Sequence, residues 1–283
     1  MNAAALSGPE APGAALVGHL HMEADVDPSG RTFLARQSFR APFHISKPYW
    51  DGSVLQVRVI NPTAGILSGD RLDLAVRARA GSRLLVIVPA ASRAFMMSRG
   101  TAECGQLFAV EDGASLEYAP EPLFPHAGSD YAQVTRLRVA AGGELCYSDA
   151  LAPGRVGRGE IWAWRRLLLG LELEFGDRRV LRERFEGSGD ALRRMAAAYA
   201  MPEAWFGTLV AVSRRLTPAS PAWDRIRALN GDGRRVGVTC IERGCWVVRL
   251  LVPGGLELRE SMTAVRSLLS AELPGLASDL RRV

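Results

Sequence analysis

Lysine is almost missing from this chain of 283 residues: of its 35 basic residues only Lys47 is not an arginine. Histidine and cysteine are scarce as well, at four each, and aromatic residues make up 7%. Each scarcity excludes something. Cys104, Cys146, Cys240 and Cys245 are too few and too irregularly spaced for a disulfide framework, so a reducing, cytoplasmic setting fits. No run reaches the roughly 18 apolar residues that span a bilayer, the nearest being residues 84–91, and no membrane partner is expected. The first 18 residues have no basic segment followed by a continuous apolar one, as a secretory signal would. Basic residues are interspersed with acids and form no block, which argues against a nucleic-acid partner. A Gly-x-Ser-x-Gly elbow is absent, and no local signature pairs a cysteine with a histidine, so no nucleophile triad is supported.

What is present is an ordinary globular composition, 48% hydrophobic and 23% charged with a formal charge of +5. That length and composition suit a large buried core. Residues 1–15 lack periodic apolar positions and read as a disordered leader, with residues 16–283 as one β-rich domain. The stretch Asn61-Pro62-Thr63-Ala64-Gly65-Ile66-Leu67-Ser68-Gly69-Asp70 lies between strand-like runs at 54–60 and 72–76. Gly65 and Gly69 permit positive φ, and Asn61-Pro62 favours leaving a strand through a turn. A strand on each side, with no helix pattern following, does not fit a phosphate loop.

Residues 17–26 alternate in polarity and turn at 27–30 into 32–39, as a half-buried hairpin would. A loose repeat follows the loop. Strand-like runs at 72–78 and 84–88 flank Gly81, runs at 107–110 and 116–118 flank Gly113, and runs at 134–139 and 145–147 flank Gly142. These glycines are 32 and 29 residues apart, and prolines close each unit at Pro89, Pro120 with Pro122, and Pro153. Three hairpin-like units at a period near 30 predict stacked β layers, a solenoid or sandwich-like scaffold. Residues 158–175 read as one long hairpin or bent strand pair. Helical spacing enters late, at 190–200, 221–229 and 259–272, so the fold class is mostly β with two or three helices in the C-terminal third.

Few residues suggest chemistry. Asp70 closes the loop, either as an acceptor that locks the turn or as part of a polar tunnel, docking surface or catalytic acid. Glu121 stands between two prolines, presented to a passage, a partner or solvent. Arg155 and Glu160 suggest a partly buried pair. His19, His21 and Glu23 share a strand face at steps of roughly 7 Å and are the weak candidates for a metal site, which needs three or four ligands in fixed geometry. His44 and His126 are isolated, and Cys240 with Cys245 reads as two small core residues. Two non-scaffold readings stay open. One is a hydrolase or lyase using Asp70 with Glu121 or Glu160; the other is a β-solenoid binding module with an exposed aromatic row at Trp162 and Trp164.

The motif at 61–72, Asn-Pro-x-x-Gly-x-x-x-Gly-Asp-Arg-Leu, resembles the central motif of the UreD (UreH) family of urease accessory proteins. Four further stretches resemble that family in its order: 42–49, 88–95, Tyr118-Ala119-Pro120-Glu121-Pro122-Leu123-Phe124, and Pro153-Gly154-Arg155-Val156-Gly157-Arg158-Gly159-Glu160. Met96-Met97, Arg93 and the ending Leu280-Arg281-Arg282-Val283 depart from the family pattern and mark a divergent member. The resemblance implies a non-catalytic β scaffold in urease maturation. It implies binding to a UreF-type helical accessory protein, a UreG-type GTPase and apo-urease, and transient passage of Ni²⁺ through the interior with no tightly bound cofactor. Asn61, Gly65, Gly69, Asp70, Glu121, Arg155 and Glu160 are the partner or tunnel candidates it places.

Overall fold

Cys104 stands beside Leu72, 32 residues earlier in the chain, and Gln133 stands beside Cys104, 29 residues later, all in one parallel ladder. The spacing of the turn glycines is thus the register of the fold. A computed structural model describes residues 15–231 and 233–280. The expected leader lies outside the described residues except for Ala15. The main elements in chain order are β1 (Val17–Val26), β2 (Thr32–Arg40), β3 (Val54–Ile60), β4 (Arg71–Ala78), β5 (Arg83–Val88), β6 (Ala102–Val110), β7 (Ser115–Pro120), β8 (Asp130–Val139), β9 (Glu144–Leu151), β10 (Arg166–Phe175), β11 (Arg178–Gly187), α1 (Gly189–Ala198), β12 (Trp205–Val212), α2 (Ala222–Arg227), β13 (Arg235–Glu242), β14 (Cys245–Val252) and α3 (Gly255–Ser270).

Two sheets face each other. The first runs β11-β10-β8-β6-β4-β1-β2, parallel from β10 to β1 with an antiparallel strand at each edge. The second runs β13-β14-β12-β9-β7-β5-β3, parallel from β9 to β3 and antiparallel beyond. The stacked layers expected from the repeat are present, but their units are not hairpins. β4 and β5, β6 and β7, and β8 and β9 pass to opposite sheets, because each strand's edges are taken by the equivalent strands of neighbouring coils and its inner face packs on the opposite sheet. The corners stack too. The Gly113 N–H donates to the Gly142 carbonyl at 3.0 Å, and the Gly142 N–H donates to Asp112 Oδ1 at 2.7 Å.

Apolar rows fill the space between the sheets. Val76, Phe108, Leu137 and Leu173 lie side by side across four strands of the first sheet, all buried. From the second sheet the rings of Tyr118 and Tyr147 stack 5.7 Å apart and both meet Phe108. The long hairpin expected at 158–175 is not there. Instead Gly154–Arg155 pairs with Glu160–Ile161 around a 3-10 turn, and the next strand starts at Arg166. Trp162 takes positive φ, its indole N–H donates to the Pro202 carbonyl at 2.6 Å, and it packs on Trp164. Both tryptophans are buried, which removes the exposed aromatic row expected of a carbohydrate-binding face.

Helices α2 and α3 cover the outer face of the second sheet, whereas α1 packs through Ala196 and Leu192 near Trp162 and Trp164. Trp223 of α2 stacks on Trp246 at 4.1 Å, and Leu258, Val265 and Leu269 of α3 are buried. At Gly207 a Cβ would lie 2.9 Å from Leu258 Cδ1, so glycine sets the close approach of α3. Arg266 of α3 donates two hydrogen bonds to the Glu117 carboxylate, at 2.6 and 2.9 Å, and a third to the Ser278 carbonyl. Burial pushes the Glu117 carboxyl up in pKa, and Arg266 works against that shift. Removing one partner strands the other charge. Arg266→Ala is expected to lower the unfolding free energy by about 3–5 kcal/mol in urea titrations at pH 7, and Glu117→Leu with Arg266→Leu to restore most of it.

Candidate functional site between the sheets

The loop 61–70 enters β4, and hydrogen bonds fix its shape. Asn61 Oδ1 accepts the N–H and the hydroxyl of Thr63, the geometry of an Asx turn. A Cβ on Gly65 would meet the Arg93 carbonyl at 2.5 Å, because Ile66 lies in a bridge with Ala94. Gly69 takes positive φ, and Asp70 next to it is buried. Asp70 Oδ1 accepts the Leu16 N–H at 3.0 Å and Oδ2 the Leu67 N–H at 2.8 Å, tying the start of β1 to the loop.

The other sequence-predicted residues lie elsewhere and have partners of their own. Glu121 is 3.6 Å from Arg259 of α3. Arg155 and Glu160 form a two-pronged pair across their short ladder, and Glu160 also accepts the Ala127 N–H. Its hydrogen bond from Arg155 holds the Glu160 carboxyl below its ordinary range, while burial and then the Arg155 charge lower the pKa of His126 nearby. On the outer face of β1, His19 bonds Ser38, His21 bonds Asp73 at 2.6 Å, and Glu23 meets Arg79. Among the described residues no three His, Cys, Asp or Glu side chains are placed to hold a metal ion.

The unusual chemistry is between the sheets, at positions not singled out in the sequence. Inward rows that begin and end in leucine turn polar in the middle coils: Leu72, Cys104, Gln133, Leu169, and next to it Leu74, Gln106, Thr135, Leu171. Gln133 Oε1 accepts the Tyr131 hydroxyl at 3.0 Å, and the Thr135 hydroxyl donates to Gln106 Oε1 at 3.0 Å. From β9, Tyr147 reaches Thr135 at 3.4 Å and donates to Asp149 Oδ2 at 3.3 Å. Asp149 is half-buried: it faces a cavity, but dense protein surrounds its carboxyl, and that burial pushes its pKa up to about 6. Burial likewise raises Cys104 to about 11.

Two cavities flank the cluster. One, of about 870 Å³, is lined by Gln133, Thr135, Tyr147 and Asp149 and opens toward α1 and β13. The other, of about 260 Å³, is lined by Cys104, Gln106, Gln133 and the Asn61–Gly65 end of the loop. Gln133 lines both. Buried polar groups cost free energy unless satisfied, and an apolar solenoid core needs none of them. The cluster forms a polar path between the loop and the larger cavity.

A family model described as UreD urease accessory protein matches residues 17–283. The chain belongs to the UreD family. It is 44% identical to the urease accessory protein UreD of Opitutus terrae, over 94% of this chain and 98% of that one. It is 31% identical to the urease accessory protein UreD 2 of Streptomyces griseus, over 89% of each. As a UreD protein it has a role in urease maturation and is not a catalytic enzyme. That removes the hydrolase reading, in keeping with the separate partners of Asp70, Glu121 and Glu160.

The polar cluster of this UreD chain left one trace in the sequence. Gln106, Gln133, Thr135 and Asp149 all fall at inward positions of period-2 strands, where an apolar residue is the rule. For the loop, the geometry gives a direct expectation. Asp70→Ala leaves two backbone N–H groups without acceptors and is expected to cost roughly 2–4 kcal/mol in chemical denaturation.

Proposed function

We propose that this protein is a urease maturation chaperone that binds a UreF-type accessory protein and, with a UreG-type GTPase, assists delivery of nickel to apo-urease. Nickel is cargo in this reading, not a resident cofactor. The observation that carries it is the polar path from Gln106 to Asp149 through the solenoid, with Asp149 as its carboxylate and cavities at both ends. A cation crossing between the sheets meets amide, hydroxyl and carboxylate oxygens in succession, and a site without a closed ligand set releases what it takes up. No described helix is long and apolar enough to cross a membrane, which is compatible with work in the cytoplasm beside urease. The family places the chain in urease maturation, and co-purification with the accessory protein, the GTPase and apo-urease tests those partners.

Asp149→Asn separates this role from stability. The folded-state pKa of Asp149, about 6, lies above its ordinary 3.8, so the folded protein binds that proton more tightly than the unfolded chain does. Its charge therefore destabilises the fold above pH 6, and the penalty fades as pH falls toward 4. The variant is expected to be more stable than the parent at pH 7.5, by up to about 3 kcal/mol, with the difference vanishing near pH 4. It is also expected to hold its partners while activating urease poorly. Full urease activation by Asp149→Asn would overturn the interior route.

A further inference from the structure

The second sheet is broken where the polar path meets it. β7 and β9 pair from Ser115 beside Glu144 to Tyr118 beside Tyr147, and pairing resumes only at Leu123 beside Leu151. Between those points Ala119, Pro120, Glu121 and Pro122 face Ser148, Asp149 and Ala150 with no ladder pair. The backbone groups at the break are satisfied in other ways. The Ala150 N–H donates to Asp149 Oδ1 at 2.8 Å, the Ser148 hydroxyl to the Tyr118 carbonyl at 2.9 Å, and the Glu121 N–H turns away to the Val88 carbonyl at 2.9 Å. Pro120 and Pro122 have no N–H to offer. The seam is left unpaired with the Ala150 N–H, the Tyr118 carbonyl and the Glu121 N–H all bonded elsewhere.

A cavity lies on each side of the seam. The inner one is the 870 Å³ cavity of the polar path; the outer one, of about 710 Å³, lies between the sheet and α3. Asp149 and Ala150 line both. Over the outer cavity α3 presents Leu258, Arg259, Met262 and Arg266. Its two ion pairs differ in strength. Arg266 with Glu117 is buried and doubly bonded, whereas Arg259 with Glu121 is exposed and 3.6 Å apart, so water and salt screen it. Glu121 belongs to the unpaired segment itself. One carboxylate, Glu121, therefore stands on the outer side of the seam, and another, Asp149, stands in the seam itself and borders both cavities.

We propose that this seam is a side opening into the interior, that α3 is its lid, latched by Arg259 on Glu121 and hinged on Arg266 with Glu117, and that it admits a small hydrated divalent cation to Asp149. The proposal rests on the interior route argued above, but it is tested without urease.

The natural cysteines report on it. Cys146 lines the outer cavity, and Cys104 lies inside, beside Gln106 and Tyr131. In a protein carrying Cys240→Ser and Cys245→Ala, modification of each remaining thiol by methyl methanethiosulfonate is followed by peptide mass. Arg259→Ala and Glu121→Gln, which remove the latch from opposite sides, are each expected to speed labelling of both Cys146 and Cys104 by roughly threefold to fivefold, the factor that loss of an exposed ion pair gives. Raising salt is expected to speed labelling in the parent and to change little in the two variants. Faster labelling of Cys146 alone would mean a lid without an opening and overturn the proposal, as would unchanged rates at both thiols. An unaltered circular dichroism spectrum and urea midpoint in either variant keeps the comparison valid. Failure of this test leaves the Asp149→Asn experiment free to succeed.

Discussion

Parallel pairing between equivalent strands of successive coils is the constraint on which the rest of this structure depends. Once Leu72, Cys104 and Gln133 are fixed side by side, every inward position of one coil has a neighbour from the next. A polar side chain in one coil then has a place to find a partner without leaving its strand. That is how Gln106 meets Thr135, while Tyr147 meets Asp149 two residues along its own strand. The same constraint sets the cost of breaking the ladder. The seam after Tyr118 is tolerated because two prolines remove donors and Asp149 supplies an acceptor for the Ala150 N–H.

The interior is therefore divided along its length. At the corner end, rows such as Val76, Phe108, Leu137 and Leu173 are apolar and close-packed, and they hold the sheets together. At the loop end, the rows through Gln133 and Thr135 are polar and bordered by cavities. One architecture supplies a rigid core and a polar, cavity-bordered interior because the two lie at opposite ends of the same strands. The loop 61–70 belongs to the second end. Asp70 stabilises it by binding the Leu16 and Leu67 amides, while Asn61 and Gly65 line the smaller cavity.

Much of the fold is legible in the sequence, and for a physical reason. Gly81, Gly113 and Gly142 mark corners whose spacing equals the ladder register, so the repeat could be read from turn chemistry alone. Which strands pair was not legible, since a glycine turn between two apolar runs fits a hairpin and a solenoid corner equally well. The polar cluster was hidden by the same signal that revealed the strands. β6 begins at Ala102 and β8 at Asp130, but their apolar runs begin only at Leu107 and Val134. The residues in between, Cys104, Gln106, Tyr131 and Gln133, are inward yet too polar to announce a buried strand. The residues of the polar cluster were thus the ones that alternation concealed, while Asp70, Arg155 and Glu160, conspicuous beside glycines, form ties that hold loops in place.

The near absence of lysine has a structural counterpart on the outer faces. Glu172 lies between Arg136 and Arg182, Glu186 between Arg166 and Arg184, and Asp25 against Arg79, in ladders that suit the planar guanidinium fork. Asp149 is different. Among the described residues it forms no ion pair; Arg249, whose positive charge acts on it, bonds Thr208 and Glu183 instead. A protein with so many arginines could readily have neutralised this carboxylate, and burial raises the cost of leaving it bare. An interior acid with hydroxyl and amide neighbours but no ion-pair partner among the described residues keeps its charge uncompensated. That unfilled attraction, set in a path between two cavities, is what a structural lock such as Asp70 lacks.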